Sequence, residues 1–232
     1  MKRGSSHIEI ILAFILFAGF IGFSLYFFSP TNTRRLVDTN LIYAFDEIRK
    51  NASVDVDFYS IKINSDTPPT PDKIKIDLGN IEENKKSYVE DIDGGKLDSY
   101  KAGQYVNIDR RDRGFVYLLL SEDIAPDEAI DGIFNSKYYT IASSNTKYIL
   151  SEKRMEDLNK TYYSDYLNLK KERFNLPDRV NFGDELKFND GTFIKMEKQI
   201  PEGLDVYSNS KRIEVIRKNN KIEFADLVVK VW

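Results

Sequence analysis

The sequence contains no cysteine and a single histidine, His7, among its 232 residues. A chain without cysteine cannot form disulfides, use thiol catalysis or bind an iron–sulfur cluster through its own side chains. Zinc sites built from cysteines or from several histidines are excluded for the same reason. A basic surplus is also lacking, because 34 Lys and Arg residues stand against 37 Asp and Glu residues, for a net charge of −3. Nucleic acid is therefore not an expected partner, since phosphate binding normally requires a basic surface.

One long uncharged run lies near the N-terminus. Ile10 to Phe28 reads IILAFILFAGFIGFSLYFF. As a helix, these nineteen residues extend roughly 28 Å, which is close to the hydrocarbon thickness of a bilayer, about 30 Å. We therefore predict that residues 5–30 form a single transmembrane helix and that residues 31–232 form a mildly acidic head outside the membrane.

The charges that flank this run give its orientation. Lys2 and Arg3 precede it and Arg34 and Arg35 follow it, so the Lys and Arg counts on the two sides are nearly level. A very short basic N-terminus favours the cytoplasmic side. We therefore expect a single-pass protein of the cell membrane with an extracytoplasmic C-terminal head.

Glu9 stands immediately before the uncharged run. A carboxylate near the centre of a bilayer costs about 2.5 to 3.5 kcal/mol on insertion scales, and less near the end of a span. One explanation is that Glu9 simply reaches the headgroups beside Lys2 and Arg3. A second explanation depends on the residues that precede it.

Those residues are Lys2-Arg3-Gly4-Ser5-Ser6-His7-Ile8-Glu9, that is, two bases, a glycine, small residues and an acid five positions after the glycine. The pattern resembles the class III signal peptide of archaeal type IV pilin-like proteins. The resemblance implies that a prepilin peptidase cuts between Gly4 and Ser5, removes residues 1–4 as a leader and leaves the helix in the mature protein. An ordinary secretory signal differs, because its apolar region is shorter and its cleavage site lies behind that region.

The resemblance also implies a role for Glu9 in assembly. Its carboxylate would pair with the new ammonium group of Ser5 on an adjacent subunit, and such pairing offsets the cost of desolvation. The implied partners are membrane lipid, the prepilin peptidase and other pilin-like subunits that pack through the N-terminal helix. The sequence departs from the family at Pro30, which is expected to end or kink a helix that in pilins often continues into the head.

The remainder of the chain predicts an α+β fold. After the transmembrane helix we expect a short amphipathic helix as far as about Asn51, then a predominantly antiparallel β head with one further helix from about Glu152 to Phe174. A hairpin is predicted over residues 137–150, with Ser143-Ser144-Asn145 as its turn. A boundary near residue 150, which would divide the head into two sheet modules, is an alternative to a single head.

Three other motifs have both a plain and a functional interpretation. Asp91-Ile92-Asp93-Gly94-Gly95 resembles part of an EF-hand loop, but the third acid is missing and the twelfth position is Ala102, so we predict a surface turn. Asn51 and Asn159 begin glycosylation sequons. The pairs Tyr138-Tyr139 and Tyr162-Tyr163 fit either core packing or an adhesive face.

No residue pattern predicts a catalytic site, and no metal or cofactor is expected. We interpret the sequence as a membrane-anchored, pilin-like structural subunit, a minor pilin or pseudopilin, of an archaeal type IV pilus-like surface assembly. The alternative is a single-pass anchored cell-surface binding module that does not polymerise and whose head recognises glycan or protein. An enzyme is the third and least supported option.

Overall fold

A computed structural model describes residues 5–27, 30–64 and 71–232. The helices are α1 (Ser5–Phe27), α2 (Pro30–Ala52), α3 (Glu152–Ser164) and α4 (Tyr166–Asn168), and α4 is followed by a π-helical segment, Leu169–Arg173. The strands are β1 (Ser53–Ile63), β2 (Lys73–Asp77), β3 (Lys86–Asp91), β4 (Lys96–Leu97), β5 (Ser99–Ala102), β6 (Tyr105–Asp109), β7 (Phe115–Ser121), β8 (Ile133–Phe134), β9 (Tyr139–Ser151), β10 (Phe182–Phe188), β11 (Phe193–Met196), β12 (Tyr207–Ile216) and β13 (Ile222–Val231).

The structure describes two N-terminal helices. The first is described as far as Phe27 and the second from Pro30, with residues 28–29 outside the described part. Proline lacks a backbone N–H and has a fixed φ, which suits the first position of a helix and disfavours the interior. The predicted end or kink of the first helix at Pro30 stays a prediction, because it falls next to residues outside the described part. Helix α2 is 23 residues long and not the short helix that the sequence predicts.

The head is built around a nine-stranded, mostly antiparallel sheet with the order β11-β10-β13-β12-β9-β1-β7-β3-β4. A four-stranded sheet, β5-β6-β2-β8, covers part of it. The α+β class and the antiparallel head are thus confirmed for the described residues. Strands from both sides of residue 150 belong to the larger sheet; a boundary at that point stays a prediction.

Only a short parallel contact joins the two halves of the nine-stranded sheet. Strands β9 and β12 pair through Leu150 with Val215 and through Ser151 with Ile216. By contrast, β9 pairs with β1 from Ser53–Leu150 to Ile63–Tyr139, with one shift of register between Ser60 and Ile61, and β12 pairs with β13 from Tyr207 to Ile216 without a shift. The sheet is therefore two long antiparallel ladders that meet at a two-residue bridge.

Two main cores stabilise these halves. In the first, α2 and α3 pack against the β10 to β13 half, because each helix places its apolar residues at helical spacing on one side; the α2 members are Leu41, Ala44, Phe45, Ile48 and Ala52. In the second, β1, β3 and β7 pack against the four-stranded sheet through Ile61, Val89, Val116, Leu118 and their neighbours.

Two predicted elements are wrong in detail. The hairpin over residues 137–150 is one continuous strand, β9, because Ser143, Ser144 and Asn145 pair with β1 residues and complete the ladder in place of forming a turn. The helix from Glu152 is interrupted at Asp165, which has φ −147° and ψ 66°. Its side chain accepts a hydrogen bond from Asn168 N at 3.3 Å and so begins a new helical segment. The head therefore contains two helices and a π-helical segment where one helix is predicted.

Candidate functional site: an apolar helix and an open cleft

Helix α1 presents an apolar surface that contacts no core of the head. From Ile8 to Tyr26 it is long and apolar enough to span a membrane, with a mean hydropathy of 2.4 and none of the segment buried within the protein. The apolar side chains of this span are exposed, as with Ile11, Phe14 and Phe20. An uncovered apolar surface of this length is unfavourable in water, so α1 is a candidate to span a membrane.

The residues predicted for processing and assembly lie at the start of α1. Gly4 is outside the described residues, and Ser5 is the first residue of the helix. Glu9 is on the second turn, with an exposed side chain. A carboxylate near a helix N-terminus interacts favourably with the helix dipole. Cleavage after Gly4 and the pairing of Glu9 with a neighbour stay predictions.

The two sequon asparagines have their amide nitrogens engaged in hydrogen bonds. Asn51, near the end of α2, donates from Nδ2 to Glu47 O at 2.9 Å. Asn159, within α3, donates from Nδ2 to Lys195 O at 2.9 Å. A glycan on either nitrogen would replace these bonds, so modification of the folded head is disfavoured at both positions, and occupancy stays a prediction.

The segment that resembles part of an EF-hand is a structural turn between β3 and β4. The buried Asp91 accepts backbone N–H groups from Asp93 at 2.9 Å and Gly95 at 2.8 Å through Oδ1. Its Oδ2 lies 3.0 Å from Arg113 Nε. Both oxygens are thus occupied by protein donors. No cluster of three or more potential metal ligands occurs among residues 5–27, 30–64 and 71–232.

The adjacent tyrosines divide between core and surface. Tyr162 is fully buried, donates its hydroxyl to Phe182 O at 2.8 Å and accepts Lys198 N at 3.2 Å. Burial, with smaller effects of neighbouring groups, raises the pKa of Tyr162. Tyr163 is exposed, whereas Tyr139 accepts the backbone N–H of Asp77 at 2.8 Å. Core packing therefore accounts for Tyr162, and a hydrogen bond within the head accounts for the hydroxyl of Tyr139.

The structure also shows a site that sequence reasoning missed. Away from the bridge between Leu150 and Val215, β9 and β12 are not paired with each other, and a cleft of about 390 Å³ opens there. Residues of α2, β9, β12 and β13 line it: Phe45, Asp46, Arg49, Tyr148, Leu150, Lys211, Arg212, Ile213, Glu214 and Phe224. The ion pair of Lys147 Nζ with Glu214 Oε1, 2.9 Å apart, crosses the cleft near its closed end.

The two strand segments that border the cleft share a composition that does not itself indicate a cleft. Ser143-Ser144-Asn145-Thr146-Lys147 and Ser208-Asn209-Ser210-Lys211 have similar compositions of small polar residues that end in lysine. Such residues are typical of turns, and the first segment was predicted to be one. In the structure both lie on exposed strands.

Comparisons with known proteins add nothing to these observations. No protein-family model matches the chain, and no curated protein or solved structure matches it either. The function must therefore be inferred from the chain's own residues.

Proposed function

We propose that this protein is a membrane-anchored, pilin-like structural subunit, a minor pilin or pseudopilin, of an archaeal type IV pilus-like surface assembly. The observation that carries the proposal is α1, an exposed apolar helix whose span from Ile8 to Tyr26 contains one carboxylate, Glu9. A plain membrane anchor gains nothing from an acid at this position, since the acid raises the cost of insertion. A subunit that packs its helix against others can use that acid as a directional contact.

The helix geometry gives this contact a defined stagger. Cleavage after Gly4 would create an ammonium group on Ser5, four residues before Glu9. Four residues correspond to about 6 Å along a helix axis. A neighbouring helix displaced by about one turn would bring its own Glu9 level with that ammonium group. Each subunit would then pair its Ser5 ammonium group with the Glu9 carboxylate of one neighbour and its own Glu9 with the Ser5 ammonium group of another. The contact would therefore repeat along an assembly.

Mass spectrometry of the mature N-terminus in native membranes tests the processing step. We expect a chain that begins at Ser5. A chain that begins at Met1 or Lys2 would contradict the proposal, because the leader would still be attached.

The substitution Glu9→Ala tests the assembly step. We expect normal insertion into the membrane and a loss of subunit from sheared surface fractions, measured by quantitative immunoblotting against the cell-bound pool. Asp38→Ala is the matched control, since it removes an exposed carboxylate from α2 outside the apolar span. Equal amounts of Glu9→Ala and unmodified protein in the sheared fraction would refute the role of Glu9.

A second candidate is favoured by the cleft between β9 and β12. Open clefts with charged and aromatic walls suit a binding module, so a single-pass cell-surface binding protein that does not polymerise is the alternative function. The same mass spectrum separates the two, because an unprocessed N-terminus with no filament-associated material supports the plain anchor.

A further inference from the structure

The cleft is bordered by two exposed strand segments. On one side, residues 140–148 of β9 are all exposed. On the other side, residues 207–212 of β12 are exposed, and the exposure continues into the loop that precedes the strand. Beyond the two-residue bridge, no strand in the described part of the chain pairs with either segment on the side of the cleft.

The direction of the backbone groups on β9 follows from the hydrogen bonds at the end of its partner strand, β1. Asn64 N donates to Tyr138 O, whereas Ile63 N donates to Gly114 O on the β7 side. Because backbone groups alternate sides along a strand, even-numbered residues of β1 bond to β9 and odd-numbered residues bond to β7. The β9 residues opposite odd-numbered β1 residues therefore direct their N–H and C=O groups into the cleft; they are Ser144, Thr146 and Tyr148.

The same reasoning applies to β12. Arg217 N donates to Lys221 O at 2.8 Å, which places residue 217 in a bonded pair with the next strand. Because backbone groups alternate sides along a strand, residues 215, 213, 211 and 209 of β12 also direct their N–H and C=O groups toward β13. The residues between them direct their backbone groups into the cleft: Ser208, Ser210, Arg212 and Glu214. Two rows of backbone donors and acceptors thus face the same opening.

Three of the four outer edge strands of the sheets are protected in ways that these inner edges are not. On β11, Lys195 O accepts hydrogen bonds from Asn159 Nδ2 at 2.9 Å and from Tyr163 Oη at 3.3 Å. At the opposite ends of the two sheets, β4 and β8 are only two residues long. Short or covered edges are the usual protection against unwanted strand pairing. The long open edges of β9 and β12 are therefore suited to pairing with a specific strand.

The charges around the cleft indicate what kind of strand would bind. Arg49, Lys211 and Arg212 line it and make no ion pair within the described residues. Lys211 Nζ lies 4.2 Å from the centre of the Phe45 ring, and the Arg212 guanidinium lies 5.7 Å from that of Phe224. The one acid in the lining that is not already paired with a lysine is Asp46. Cations are therefore in excess, and two of the three, Lys211 and Arg212, lie over aromatic rings.

We propose that the cleft between β9 and β12 binds an extended, acidic polypeptide segment of a partner protein by strand addition. Backbone edges repeat donors and acceptors every second residue, about 7 Å apart, which an extended peptide matches and a glycan does not. The edge from Ser208 to Glu214 has room for a segment of about seven residues, roughly 24 Å long. Carboxylates on the face of that segment turned toward α2 meet Arg49 and Lys211, whereas Arg212 lies on the opposite face of β12, because successive side chains of a strand alternate between its faces. This inference does not depend on processing at Gly4 or on the role of Glu9.

The test uses the full chain in detergent micelles and a fluorescent ten-residue peptide of alternating valine and aspartate. Binding is measured by fluorescence anisotropy. Two further peptides separate the contributions: one has lysine in place of aspartate, and one keeps aspartate but carries N-methyl groups on every second backbone nitrogen. We expect binding of the first peptide only, and weaker binding at high salt because surface charges are screened.

Variants of the protein locate the site. We expect Lys211→Glu combined with Arg212→Glu to weaken binding at least about tenfold, the effect of roughly 1.4 kcal/mol. Thr146→Pro and Ser210→Pro each remove an N–H that faces the cleft without removing a ladder bond, so each should reduce binding. The control Arg179→Glu reverses an exposed cation on a loop away from the cleft and should leave affinity unchanged. Circular dichroism melts establish that each variant is folded.

Several results would overturn the proposal. Equal binding of the N-methylated peptide would show simple ionic attraction without strand addition, and equal binding of the lysine peptide would remove the requirement for acid. Failure of every peptide to bind would refute the site. A concentration-dependent dimer that Thr146→Pro dissociates, with no peptide binding, would assign these edges to a second copy of the chain.

Discussion

Replacement of Asp184 by valine should make the head more stable at neutral pH. Asp184 lies on β10, opposite Met196 and Val229 in the ladder, and its side chain is almost completely buried. Neither carboxylate oxygen has a hydrogen-bond partner in the described structure. Burial without a partner disfavours the ionised form, so the pKa of the Asp184 carboxyl is raised well above its ordinary value.

The sign and size of the effect follow from this burial. An acid whose folded-state pKa is raised holds its proton more tightly in the folded state, so it costs no stability below the unfolded pKa of about 3.9. The cost appears as the pH rises above that value and is complete above the folded-state pKa. A buried polar group without a partner costs about 1 to 3 kcal/mol. For a chain of this size each kcal/mol corresponds to roughly 2 to 4 °C in Tm.

Guanidinium unfolding followed by the fluorescence of Trp232, the single tryptophan, provides the assay. At pH 7 Asp184→Val should raise the free energy of unfolding by about 2 kcal/mol, and the gain should shrink steadily as the pH approaches 4. Asp184→Asn removes the charge but leaves a buried amide. It should therefore give only the pH-dependent part of the gain in the free energy of unfolding. Asp226→Val is the matched control, because it removes an exposed acid from the neighbouring strand β13 and should change stability by less than about 0.5 kcal/mol.

A constant difference in stability between Asp184→Val and the unmodified protein from pH 4 to pH 7 would refute this reasoning. It would mean that the carboxyl has the same proton affinity in the folded and unfolded states. Destabilisation by Asp184→Val at pH 7 would be equally damaging, since it would require a favourable partner for the carboxylate.

Two further predictions concern the β-sheet framework. Gly132→Ala should destabilise the head by about 1 to 3 kcal/mol, because a Cβ there would lie 2.5 Å from the backbone C and O of Ile74. The control is Gly114→Ala, because the space around Gly114 is open. Thermal melts measure the stability of both variants. Asp91→Ala should cost about 1 to 3 kcal/mol through the loss of its bonds to Asp93 N and Gly95 N, whereas calcium should leave the Tm of the unmodified protein unchanged, since Asp91 is already fully occupied. A calcium-dependent rise in Tm would contradict that account of the turn.

Periodic apolar residues predicted the elements that they pack into a core. Val54 and Val56 of β1 alternate with Asp55 and Asp57, and both valines are buried. Leu158 and Tyr162 of α3 lie about one helical turn apart, and both are buried. These predictions succeed because one buried face imposes a period of two or about 3.6 residues directly on the sequence.

The errors occur where long-range pairing overrides local preference. Ser144 and Asn145 favour turns, but Tyr59 and Phe58 of β1 pair with them, so the strand continues through both residues. Similarly, β12 is continuous through Ser208 to Lys211, where small polar residues also favour a turn. The cleft depends on both strands, which are far apart in the chain, so no local pattern could reveal it. The burial of Asp184 is equally invisible, since its neighbours Gly183 and Glu185 resemble those of a surface acid.

The two-residue bridge at Leu150 and Val215 has a mechanical consequence for the membrane-anchored head that we propose. Helix α2 continues directly into β1, at Ala52 and Ser53, yet it packs against the other half of the sheet through Phe45 and Ile48. Under that proposal, tension along α2 would reach one half of the sheet through the covalent chain and the other half through side-chain contacts. Helix α2 would then hold the two halves together alongside the short bridge.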